Sequence, residues 1–106
     1  MRLTPKEQER LTVFLAAELA RRRRARGLKL NHPEAVALIA DEVLEKARDG
    51  ASYEQVVAQG YSVLGSEDVL DGVAALVPRL EVEPLFDDGT RLVVLHDPIG
   101  RAEPPR

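Results

Sequence analysis

The chain has 106 residues, 44% of them hydrophobic, enough for one core and too few for two ordinary domains. It contains no cysteine or tryptophan, and its aromatic rings are Phe14, Tyr53, Tyr61 and Phe86; this excludes a disulfide framework and a thiolate nucleophile, and makes an aromatic platform for single-stranded nucleic acid an unfavoured reading. The net charge of -3 hides an asymmetry: residues 1–50 carry eleven Lys/Arg against eight Asp/Glu, and residues 51–106 carry four against ten. No apolar run approaches the roughly 20 residues of a membrane span. Met1 to Glu7 lacks the apolar centre of a secretory signal, so the expectation is a chain that begins at Met1 and works in the cytoplasm.

Thr4 with Glu7 three residues on, and Pro5 between them, reads as a capping box that opens a first helix. Leu11, Phe14, Leu15 and Leu19 recur at helical spacing as one apolar stripe, widened by Ala16, Ala17 and Ala20, and the helix is expected to run to about Arg26. Gly27 suits a helix C-terminus that needs a left-handed residue, with arginines at the negative end of the dipole. Asn31, Pro33 and Glu34 open a second helix. Its stretch from Ala35 to Ala40 carries no charge, which marks the central, buried helix; Asp41, Glu42, Glu45, Lys46 and Arg48 read as its solvated positions.

Ser52 with Gln55 caps a third helix, stopping at Gly60, and Ser66 with Glu67 and Asp68 opens an expected fourth through Val69, Leu70 and Val73 to Pro78. Beyond Pro78 the period becomes two: Leu80 and Val82 alternate with Glu81 and Glu83, Asp87-Asp88-Gly89 turns the chain, and Thr90 to His96 returns. Pro84 has no N–H for a ladder, so a bulge or an edge is expected there. The fold class is thus α+β, mainly α: a bundle of about four helices followed by a C-terminal two-stranded antiparallel β-hairpin. One domain spans 1–100, with a disordered polar tail at 101–106.

The chemistry on offer is sparse. Arg21 to Arg26 invites a nucleic-acid reading, but residues about 100° apart wrap a helix instead of tracking one phosphate line, so a helical interaction or nucleic-acid-binding module is the lesser alternative. His32 and His96 lack any metal-ligand spacing. The pairs Asp41-Glu42, Glu67-Asp68 and Asp87-Asp88 sit on helix faces, helix starts or turns, where a carboxylate has no cleft to shift its pKa. No residue of this chain is assigned a catalytic or metal-binding role.

The blocks Leu3-Thr4-Pro5, Arg26-Gly27-Leu28-Lys29-Leu30-Asn31, Pro33-Glu34-Ala35-Val36-Ala37-Leu38-Ile39, Ala47-Arg48-Asp49-Gly50, Asp71-Gly72-Val73 and Asp88-Gly89-Thr90-Arg91-Leu92-Val93, in that order, resemble the gamma subunit of microbial urease from Met1 to about Gly100. The resemblance implies a non-catalytic structural subunit of a nickel enzyme that hydrolyses urea to ammonia and carbamate. It places the nickel ligands in the alpha subunit, so that this chain binds no cofactor and is inactive alone. It implies alpha and beta subunits as partners, in a trimer of alpha-beta-gamma heterotrimers, with neither nucleic acid nor membrane. Arg22, Arg24, Arg26, Lys29, Asn31, His32 and Glu34, around the joint between the first two helices, are the candidate interface, the arginines as forks for partner carboxylates.

Overall fold

The computed structural model of the chain describes residues 1–101. Helix α1 runs Pro5–Ala25, α2 His32–Arg48 and α3 Tyr53–Ser62. All three open on the capping boxes read from the sequence: Thr4 with Glu7, Asn31 with Glu34, Ser52 with Gln55. In each, the cap oxygen accepts from the N3 amide while the N3 side chain accepts from the cap amide, so two orphan donors are satisfied at once. Gly27 takes φ 82 just beyond α1 and lets the chain reverse into α2.

Helix α2 is the centre. Ala35, Leu38, Ile39 and Val43 are buried on it, and it packs against α1, α3 and the hairpin. Strands β1 Arg79–Val82 and β4 Val93–His96 pair antiparallel, Arg79 opposite His96 and Val82 opposite Val93. Strands β2 Leu85–Phe86 and β3 Gly89–Thr90 continue the same hairpin to its tip. The ladder breaks between the two halves, where buried Pro84 has no N–H to give and its carbonyl accepts from Arg91 at 3.2 Å. Arg91 lies 4.4 Å over the Tyr53 ring and the Tyr53 hydroxyl donates to the Leu92 carbonyl at 2.8 Å, fastening the hairpin to the start of α3. A two-stranded ribbon is marginal in water, and this packing is what holds it.

Two expectations are corrected. The fourth helix is absent: among the described residues there are three α-helices, and the 66–78 segment makes only single 3₁₀ turns at Ser66–Asp68 and Ala74–Leu76. Between them the chain is extended, because Leu30 zips onto it as a parallel bridge: its N–H donates to Asp68 O and its carbonyl accepts from Leu70, both at 2.9 Å. The left-handed Gly72, φ 86, then turns the chain where a helix would have continued. The second correction concerns α1, whose apolar stripe is two faces: Ala17 and Ala20 are buried against α2, whereas Leu11, Phe14, Leu15 and Leu19 are exposed. The expected tail at 101–106 lies, from residue 102 onward, outside the described residues.

Candidate subunit interface

The joint between α1 and α2 is fixed by charge. Asp41, expected in solvent, is 1% exposed and faces α1 from the central helix. It accepts from Arg10 Nη1 at 2.8 Å and from Arg21 Nη2, while the other arms of these forks reach Glu45 at 2.7 Å and Glu18 at 3.2 Å. A buried carboxylate is tolerable only with such partners, and no buried side-chain polar atom among the described residues is left without one. Burial works against the charge of Arg21, but its bonds to Asp41 and Glu18 outweigh that and hold the guanidinium more firmly protonated than usual.

One turn on, Arg23 donates to Glu34, and Arg24 reaches Asp68 at 3.2 Å. The same Asp68 oxygen accepts the Gly65 amide at 2.8 Å, so α1 and the 65–70 segment share one carboxylate. Partial burial would raise the pKa of Glu34, yet the Asn31 amide and the Arg23 guanidinium leave it below the ordinary carboxylate value.

Of the seven residues expected at an interface, three are therefore engaged within the chain. Arg24 spends a guanidinium nitrogen on Asp68, and Asn31 and Glu34 close their capping box. Arg22, Arg26, Lys29 and His32 are exposed and make no ion pair among the described residues. Arg22, Arg26 and Lys29 give the turn a cationic rim, with the His32 imidazole beside them. His32 opens α2 and exposed His96 ends β4, where its amide donates to the Tyr61 hydroxyl at 2.8 Å. Among the described residues no three His, Cys, Asp or Glu side chains converge as a metal site would require. Arg10 and Asp41 were missed as a pair; the available signal was that position 41, unlike Glu42, falls four residues after Ala37 and three after Leu38, on the buried face of α2.

Against known proteins, the family described as "Urease, gamma subunit" matches residues 1–99. The chain belongs to the urease gamma subunit family. It is 59% identical over 99 residues to the urease subunit gamma of Natronomonas pharaonis, covering 93% of this chain and 91% of that one. It is 62% identical over 100 residues to the urease subunit gamma/beta of Streptomyces coelicolor, covering 94% of this chain but 44% of that longer protein. This membership disfavours the nucleic-acid alternative, and the geometry agrees: Arg21, Arg23 and Arg24 are spent on carboxylates of the chain itself.

Proposed function

We infer that this gamma-family subunit of urease serves the enzyme by assembly and takes no part in the chemistry, joining alpha and beta subunits in a trimer of heterotrimers. The observation that carries this reading is the division of labour at the α1–α2 joint. Arg21, Arg23 and Arg24 are paired with carboxylates of the chain itself on the approach to the joint and Arg10 braces the two helices further along, whereas Arg22, Arg26, Lys29 and His32 are exposed and make no ion pair among the described residues. Arg24, Asn31 and Glu34 hold the shape of the joint, and the four outward groups meet acidic surface of a partner subunit, where guanidinium forks bind carboxylates in two-point geometry.

The nickel of urease finds no cradle among the described residues, since no set of possible ligands converges. In this reading the metal and the reacting urea belong to the alpha subunit. The chain's own contribution is rigidity: an assembly keeps a catalytic constellation in place only if its supporting surfaces do not shift.

The test is co-purification of the tagged chain with its urease partners. Arg22→Glu with Arg26→Glu is expected to lower recovery of the partners at least tenfold while the chain stays folded, its unfolding midpoint falling only by the small amount that reversed charge at the negative end of the α1 dipole costs. Recovery equal to that of the unaltered chain would remove the joint from the interface.

A further inference from the structure

The two edges of the hairpin differ: the chain closes one and leaves the other open. Asp97 N–H donates to Pro78 O at 3.0 Å, and the register sets Arg79 opposite His96 and Leu80 opposite Leu95. Antiparallel bonds join alternate pairs, so those of the β1–β4 ladder fall at Leu80 with Leu95 and at Val82 with Val93, and the groups between them point out of the ladder. On β4 the outward amide of His96 donates to the hydroxyl of buried Tyr61. On β1 the outward N–H and C=O of Arg79 and Glu81 meet no other group among the described residues. Along this open edge runs a groove of about 430 Å³ between β1 and the first turns of α1. Its floor is apolar, made by Val13, Ala40, Leu44 and Val82. Its exposed rims carry Glu81 and Glu83 on the strand side, Lys6 and Glu9 on the helix side. Acid prevails there, because Arg10 in the wall is already bonded to Asp41 and Glu45.

We propose that the outer edge of β1 takes up an extended segment of another polypeptide as a third strand, in which apolar and basic residues alternate. Short length and charged side chains ordinarily keep a bare edge from pairing. This edge has in addition a groove beside it, where a strand added roughly 4.8 Å from β1 turns every second side chain onto the apolar floor. The register fixes the pattern. Residues opposite Leu80 and Val82 share the inner face and meet Val13, Ala40 and Leu44, so they are apolar. Residues opposite Glu81 and Glu83 share the outer face with two carboxylates, so they are Lys or Arg. A second copy of β1 is the wrong occupant: it brings the same excess of acid, and a twofold pairing centred on Glu81 sets this carboxylate against itself. Resting on the subunit reading above, the segment belongs to another subunit of urease. The edge is then a contact distinct from the cationic rim at the joint and selects the opposite charge.

Hydrogen exchange reads this edge directly, because the outward amides are free in the chain alone and bonded in the complex. In the purified chain the Arg79 and Glu81 amides should exchange freely while those of Leu80 and Val82 are protected by the ladder. In the assembled urease, exchange at Arg79 and Glu81 should slow by at least about tenfold. Glu81→Pro removes an outward donor that takes no part in the ladder, so the chain should stay folded by circular dichroism. It should lower recovery of urease subunits by about fivefold relative to Glu81→Gln, which keeps that N–H and loses the same charge. Should Glu81→Pro fail to fold, the exchange comparison, which needs no variant, decides. Exchange at Arg79 and Glu81 as fast in the complex as in the purified chain overturns the proposal and leaves the subunit reading standing. Protection with equal recovery of the proline and glutamine variants means an edge that is covered and not paired, which overturns it as well. Protection that appears in the purified chain as its concentration rises assigns the edge to a second copy, again against the proposal. A chain that recovers no urease subunit overturns the subunit reading, and this inference with it.

Discussion

Asp41 is the one buried charged side chain among the described residues, and it ties α2 to α1 through two ion pairs. It is isolated from water and held by two guanidinium groups that are themselves partly exposed, 29% for Arg10 and 31% for Arg21. Removing one partner of a fully buried pair costs about 3–5 kcal/mol, but here the orphaned arginines can turn to Glu18, Glu42 and Glu45 or to solvent. Asp41→Asn is therefore expected to lower stability by about 2 kcal/mol in chemical denaturation, below that range for a sealed pair. A loss under about 0.5 kcal/mol would mean that the network contributes no more than a surface ion pair. Glu34 sets a pH dependence with a definite sign. Its folded pKa is lower than the ordinary 4.5, so its contribution is fully present above that value and disappears as pH falls through the folded pKa. Glu34→Gln should remove part of the acid limb of the stability–pH profile below about pH 4.5 and flatten it there; an identical acid limb in both proteins would contradict the assignment.

At the level of the elements, α3 approaches β4 closely at Gly60. A Cβ at Gly60 would stand 2.6 Å from Leu95 Cδ1 and 3.2 Å from Val43 Cγ2. Alanine would gain roughly 1 kcal/mol of helix propensity, but overpacking a closed core costs roughly 1–3 kcal/mol. Leu95 and Val43 have no exposed surface to retreat into, so the clash wins and Gly60→Ala should lower stability by about 1 kcal/mol. A rise in the unfolding midpoint would show that Leu95 can repack. The elements also mark what was legible in the sequence. The capping boxes are local chemistry, two residues satisfying each other's orphan groups three apart, and all three were readable. The 66–78 segment was not, because its conformation is decided by Leu30, a residue roughly forty positions away whose backbone needed a partner. The same limit split the α1 stripe: periodicity says which residues share a face, but whether leucine or alanine turns inward depends on how closely α2 approaches, and the Arg10–Asp41–Arg21 clamp favours the small side.

On the scale of the whole molecule, the chain spends its apolar interior on α2 and leaves open the cationic rim at the joint, the exposed leucines of α1 and the outer edge of β1. The candidate interface was half legible: the sequence located the joint, whereas the assignment of each arginine to an internal or an external partner required the positions of Glu34, Asp41 and Asp68. Because the inner arginines fix the joint, the outer ones can be altered without disturbing the fold, which makes assembly and stability separable by mutation. The central claim is that this chain contributes structure and no chemistry to urease. Its most direct test is urea hydrolysis by the purified chain, by the other subunits of the urease, and by all of them together after nickel activation. The account predicts no turnover by the chain itself and a loss of at least tenfold in activity or in thermal lifetime when it is left out. Turnover by the chain alone, or an enzyme equally active and equally durable without it, would contradict the account.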